Sequence, residues 1–253
     1  MYAGDVERLA FAALPDRPAA GRDDVHLVRI ALDAGDDVVA RLAAILDDEE
    51  RARVGRYLFD RDRRRFTVAR ATLRIVLGRY LGRAPEAVRF DTAERGKPFL
   101  VDGGPHFNLS HSGERALLAV SPARELGVDI ERHRPSVDFL EVARHSFSPA
   151  EQRALAALPP DQIPDAFFRC WARKESFIKA RGDGLYFPLD GFDVSLEPAP
   201  AVALLACPAA PEAMARWVMR PLDVEPGYAA ALTVEGDGFA ITAYDAPAYH
   251  GAR

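Results

Sequence analysis

Cysteine, lysine, long apolar runs and any excess of positive charge are scarce in this chain of 253 residues. Cys170 and Cys207 are the only cysteines and lie at no metal-ligand spacing. That excludes a small disulfide-stapled fold, makes a reducing cytoplasm the simplest home, and leaves both thiols reading as inert. A formal net charge of -5 argues against a general nucleic-acid binder, which needs basic excess on at least one face to neutralise phosphates. No apolar stretch reaches the ~18 residues of a spanning helix, and no basic segment followed by an apolar run marks a signal peptide at the N-terminus. Lysine is nearly absent beside abundant arginine and alanine, a bias that says nothing about mechanism.

What is present is a folded protein's composition. Apolar residues make up 49% of the chain, enough for one large domain or two of roughly 120 residues. Residues 1–22, rich in proline, alanine and glycine, read as a loosely held lead-in. Alternation predicts a first strand over Val25–Leu32, and Val38–Leu46 reads as a helix. Asp47-Asp48-Glu49-Glu50 reads as an N-cap with an acidic first turn. Apolar residues at Phe66, Val68, Ala69, Leu73, Val76, Leu77, Tyr80 and Leu81 predict a long helix, ended by Gly82. Short strands follow at Val88–Asp91, after the Gly96-Lys97-Pro98 turn, at His106–Ser112 and at Ala116–Val120.

The second half repeats the rhythm. Helices are predicted at 138–145, 149–158 and Asp165–Arg181, with Pro159–Pro164 breaking the chain between the last two and Gly182 closing the last. Strands are predicted at Phe192–Leu196, Val202–Ala206, Arg216–Pro221, Tyr228–Val234 and Phe239–Tyr244. The pattern predicts an α+β fold of two similar, pseudo-dimeric subdomains, 23–123 and 124–253, each with a long helix on a small, mostly antiparallel sheet.

Between the halves lies Leu126-Gly127-Val128-Asp129-Ile130-Glu131. In an extended strand Val128 and Ile130 face one way while Asp129 and Glu131 share the other face. Two such carboxylates suit a hard cation such as Mg2+, which also holds substrate phosphates; an edge strand with a solvated acidic face fits the same residues. On the long second helix Glu175 and Lys179 lie four residues apart, the spacing of a surface ion pair or of two groups serving one site. Lys174 points about 100° away from Glu175 and reads as a surface or outer charge.

Trp171-Ala172-Arg173-Lys174-Glu175-Ser176-Phe177-Ile178-Lys179, followed by Gly182-Asp183-Gly184-Leu185, pairs with the Gly127-Val128-Asp129-Ile130-Glu131 strand in a pattern that resembles the 4'-phosphopantetheinyl transferases, in particular the surfactin-synthetase-activating type. Gly96-Lys97-Pro98, Phe107-Asn108-Leu109-Ser110-His111-Ser112 and Phe147-Ser148-Pro149-Ala150-Glu151 match further blocks in the family's order. The resemblance spans about Leu46 to Leu196.

It implies a transferase that moves the phosphopantetheine arm of coenzyme A onto a serine of an acyl or peptidyl carrier protein and releases adenosine 3',5'-bisphosphate. By the family pattern Asp129, Glu131 and Glu175 would ligate Mg2+, with Mn2+ as a substitute. Glu175 would also accept the serine proton, directly or through a water. Lys179 would hold the phosphate under attack, and Ser110, His111 and Lys97 would contact coenzyme A. Relatives often carry a lysine where this chain has Glu50, so the 3'-phosphate would fall to Arg53 and Arg65, whose forked guanidinium suits phosphate. The Arg61–Arg65 run reads as a solvated face or as an attractor for an acidic carrier helix, and Glu151 as an orienter of a basic neighbour or a cap on Ser148. The compact trimeric synthases of this superfamily are about half this length, so a cytoplasmic monomer with its site in the cleft between subdomains is expected. A coenzyme A-binding regulator without catalysis and a metal-dependent nuclease are the competing readings.

Overall fold

A computed structural model describes residues 8–134, 138–199 and 202–247. In chain order the strands are β1 (Phe11–Ala13), β2 (Asp24–Ala31), β3 (Phe90–Thr92), β4 (Pro98–Leu100), β5 (His106–Ser112), β6 (Arg115–Ser121), β7 (Leu126–Arg132), β8 (Asp193–Val194), β9 (Leu204–Ala206), β10 (Trp217–Leu222), β11 (Tyr228–Glu235) and β12 (Ala240–Asp245). The helices are α1 (Asp36–Ala43), α2 (Asp48–Arg56), α3 (Asp60–Leu81), α4 (Phe139–Ser146), α5 (Pro149–Ala156), α6 (Ile163–Arg181) and α7 (Ala213–Arg216). The fold is α+β.

Local chemistry sets the boundaries. Asp47 and Glu50 cap α2 reciprocally, side chain to backbone, and Ser148 and Glu151 do the same for α5. Gly82 and Gly182 stop α3 and α6 in the left-handed conformation at φ 63° and 74°, which a side chain resists. Pro164 lies in the first turn of α6 rather than in a break before it, because a helix start has no use for the missing N–H.

Two sheets stack face to face with one long helix outside each. The five-stranded sheet runs β1-β12-β2-β6-β5 and the three-stranded sheet β10-β11-β7. Val25, Leu27, Leu117 and Ala119 of the first pack on Leu126, Val128, Ile130, Leu232 and Val234 of the second. The opposite face of the first sheet, with Val28, Ile30 and Leu118, packs on α3 through Val68, Leu73, Val76 and Leu77. Helix α6 covers the second sheet with Phe167, Phe168, Phe177 and Ile178, against Ala229, Ala231 and Met219.

Two sequence expectations change here. Phe11–Ala13, inside the expected lead-in, is a strand paired in parallel with β12, while residues 1–7 lie outside the described residues. The last strand, β12, pairs with β2 and so joins the sheet of the first half, crossing the expected 123/124 division. Its alternation predicts a strand but carries no information on which sheet receives it.

Candidate active site

The acidic strand is pinned to α6 by an absence. A Cβ built on Gly127 would lie 2.2 Å from the backbone nitrogen of Ala180 and 2.3 Å from the carbonyl oxygen of Ser176. Only glycine allows β7 to press directly on the helix backbone. That close approach brings Asp129 within reach of Lys179.

Asp129 is 2% exposed. Its Oδ1 accepts from the Ser110 hydroxyl at 2.7 Å and from Lys179 Nζ at 2.5 Å, and Lys179 also donates to Ser110 Oγ at 2.9 Å. The contact therefore joins β5 of one half to β7 and α6 of the other. Asp129 Oδ2 is buried without a hydrogen-bond partner, which is costly for a carboxylate unless a cation or donor arrives.

The other two acids flank it. Glu131 accepts from Ser112 Oγ at 2.7 Å and lies 3.7 Å from the Arg134 guanidinium. Burial, reinforced by the charge of Asp129, raises the pKa of Glu131. Glu175, one helical turn before Lys179, is raised by burial and then by Asp129, with Lys179 opposing. Asp129 thus acts on both flanking carboxylates. Among the described residues, no three His, Cys, Asp or Glu side chains stand in a metal-holding arrangement; in this conformation Lys179 balances the charge of Asp129. The donor set still fits a divalent cation, because it offers mutually repelling oxygens and one buried oxygen with no partner.

His111 lies beside Ser110 on β5 and is exposed. Its pKa is lowered first by desolvation and then by the charge of Lys179; Asp129 pulls the other way, and Arg53 and Arg65 lower it further. Arg53 stacks over Phe66 with its Cζ 5.0 Å from the ring centroid, and Arg65 lies 3.7 Å from Glu114. Glu50 is turned away from them and buried, paired with Arg70 and, at 2.7 Å, with Arg74. Its negative charge is spent inside the first half.

Two lysines depart from expectation. Lys97 Nζ donates to Glu125 Oε2 at 2.6 Å, to Ala180 O at 2.9 Å and to Leu126 O at 3.1 Å. An ammonium has three donors, so none is left for the adenine or phosphate contact expected of it; Lys97 clamps the halves together instead. Lys174, expected near the surface, is fully buried. It bonds Glu151 at 2.8 Å and the carbonyls of Leu189 and Phe192 at 2.7 and 2.6 Å. Glu151 both caps Ser148 and orients this basic neighbour. The angular offset from Glu175 correctly takes Lys174 off the cleft face, but that direction leads into the core under the loop at 189–192.

The Lys97 clamp carries a pH dependence. Hydrogen bonding from His106 first and Lys97 next holds the Glu125 carboxyl well below its ordinary 4.5, at about 2. A depressed acid stabilises the fold above its unfolded pKa, and that stability is lost as pH falls through the folded value. His106 is raised above 6.5 by Glu125, so its share is present below 6.5 and fades as pH rises through the folded value. Urea midpoints of the wild type and Glu125→Gln are expected to differ most between about pH 4.5 and 6.5. They are expected to converge as pH approaches 2.

Sequence reasoning missed Asn108, Ser112, Glu125 and His106. The alternation of polar residues along His106–Ser112 contained the signal, but only the pairing of β5 against β7 reveals what those side chains face.

Comparison with known proteins identifies the family. A family model described as the 4'-phosphopantetheinyl transferase superfamily matches residues 125–233, and one described as 4'-phosphopantetheinyl transferase, N-terminal, matches residues 35–123. The 4'-phosphopantetheinyl transferase HetI of Nostoc sp. is 41% identical over 221 residues, covering 86% of this chain and 90% of that protein. The 4'-phosphopantetheinyl transferase Sfp of Bacillus subtilis is 33% identical over 193 residues, covering 76% and 83%. The L-aminoadipate-semialdehyde dehydrogenase-phosphopantetheinyl transferase of Xenopus laevis is 32% identical over 168 residues, covering 62% and 56%. With both halves matched and nearly the whole of one relative covered, the chain belongs to the 4'-phosphopantetheinyl transferase superfamily and is an enzyme of that type.

Proposed function

We propose that this transferase takes the phosphopantetheine arm from coenzyme A, attaches it to a serine of an acyl or peptidyl carrier protein, and releases adenosine 3',5'-bisphosphate. The observation that carries the reading is the buried Asp129 carboxylate, shared between Ser110 of one half and Lys179 of the other with its second oxygen unpartnered. Asp129, Glu131 and Glu175 are the residues assigned to hold Mg2+, or Mn2+ in its place. The chemistry such an ion supplies when bound is neutralisation of charge on the pyrophosphate and leaving group.

The chain's own residues do the rest. Lys179, freed from Asp129, turns to the phosphate under attack. His111, Arg53 and Arg65 present cationic and hydrogen-bonding groups to the remaining phosphates, and Ser110 keeps Asp129 oriented. Glu175 accepts the proton of the incoming serine. Positioning and electrostatics suffice for phosphoryl transfer, so no covalent enzyme intermediate is required. The 23–123 and 124–253 halves, the second lending β12 to the sheet of the first, act as the two walls of the cleft in a cytoplasmic monomer, with carrier proteins and coenzyme A as partners and no role for nucleic acid or membrane.

The test is incubation with coenzyme A, Mg2+ and a panel of apo carrier proteins, read by intact mass. A carrier heavier by one phosphopantetheine arm is expected. No mass change with any carrier, under conditions where an established transferase modifies the same panel, contradicts the reading.

A further inference from the structure

β5 and β7 are each the outer strand of their sheet, and no backbone ladder pairs them among the described residues. Side chains close the gap instead. Asn108 Oδ1 accepts from the Val128 N–H at 2.9 Å, Ser110 Oγ from Ile130 N–H at 3.4 Å, and Ser112 Oγ from Arg132 N–H at 3.1 Å. Every second residue of β5 thus takes every second N–H of β7, at a constant separation of twenty residues.

The two serines do more than the asparagine. A hydroxyl has one proton and two lone pairs. Ser110 gives its proton to Asp129 Oδ1 at 2.7 Å, and Ser112 gives its proton to Glu131 Oε2 at 2.7 Å. Each hydroxyl therefore holds a carboxylate while accepting from the backbone one residue further on, fixing the acid relative to its own strand. Ser112 is buried, so water does not readily substitute for it.

We infer that this seam is a positioning device, and that Ser112 is the positioning residue that aims Glu131 at the site it shares with Asp129. Asn108, which has no acid to hold, sets only the spacing of the strands. The inference rests on the proposed divalent-metal reading and goes beyond it in assigning the orientation of one ligand to a residue of the other half. It also explains why side chains rather than a backbone ladder join β5 to β7: such a ladder would leave no hydroxyl beside either carboxylate.

The test is Mn2+ binding to the free enzyme, read by electron paramagnetic resonance without coenzyme A or carrier. Ser112→Ala is expected to weaken Mn2+ binding about 10- to 100-fold, as removal of an outer-shell partner does, and Ser112→Thr, which keeps the hydroxyl, to restore it. Ser121→Ala removes another buried hydroxyl, one that donates to the Asp24 carbonyl, and is expected to bind Mn2+ like the wild type. In a Glu131→Gln background, Ser112→Ala should add no further loss. If Ser112→Ala does not fold, Ser112→Cys, of similar shape but a poor donor, is expected to show the same weakening. Wild-type affinity in Ser112→Ala, or in Ser112→Cys where that is the folded variant, overturns the inference alone. Failure of the wild type itself to bind Mn2+, even once coenzyme A is added, overturns the metal reading and the inference with it.

Discussion

Asp129→Ala is expected to slow transfer to a carrier protein by about 10³-fold or more, the scale on which removal of central electrostatic groups from a dry site is felt, while leaving the fold intact. Two changes in stability oppose each other. Removing the carboxylate relieves a buried oxygen that has no partner, which is favourable. It also strands Lys179, whose side chain is 28% exposed and can turn its ammonium to water at a cost of about 1 kcal/mol or less. The two changes offset, so circular dichroism and the denaturant midpoint should stay close to wild type. Near-normal turnover in a folded Asp129→Ala protein would remove Asp129 from the mechanism.

Lys174→Met is expected to do the reverse. Lys174 is 0% exposed and its partner Glu151 is 2% exposed, so the substitution leaves a carboxylate charged and dry. Breaking a buried pair from one side costs about 3–5 kcal/mol. Part of that loss can be escaped by protonation, since burial already raises the pKa of Glu151 against the pull of Lys174. Without the lysine the acid rises further. The destabilisation should therefore be largest at alkaline pH and shrink as pH falls and Glu151 takes up its proton. Urea unfolding of both proteins at pH 8 and pH 5 measures this. Lys179→Met, five residues on in the same helix, leaves the buried Asp129 carboxylate without its cation, so it should cost most of the activity and some stability as well.

The contrast between those two lysines marks how far the sequence could be read. Periodicity was sufficient for α3 and α6 because their apolar faces pack on single sheets, alternation was sufficient for β5 and β7, and a continuous apolar run for β6. The family resemblance assigned Asp129, Glu131, Glu175 and Lys179 to one site, and of these the structure joins Lys179 to Asp129 from an adjoining helix and strand. What the resemblance could not supply was the far partner of each charge. Lys97, Lys174 and Lys179 each pair with an acid at least 23 residues distant, Glu125, Glu151 and Asp129 respectively. One clamps the halves, one holds the core and one faces the cleft. The fate of Glu50 was hidden for the same reason, since Arg70 and Arg74 reach it across a helix packing. The placement of β12 was hidden too, because pairing between strands far apart in the chain leaves no local trace.

In the proposed mechanism carboxylates from a strand and a helix close on one cation in the groove between the halves. Anomalous scattering from a crystal grown with Mn2+ and coenzyme A locates that cation. One strong peak is expected, bonded at a little over 2 Å to oxygens of Asp129, Glu131 and Glu175, with Lys179 moved from Asp129 to a phosphate. A peak elsewhere, with Lys179 still bound to Asp129 beside an occupied coenzyme A, would contradict it.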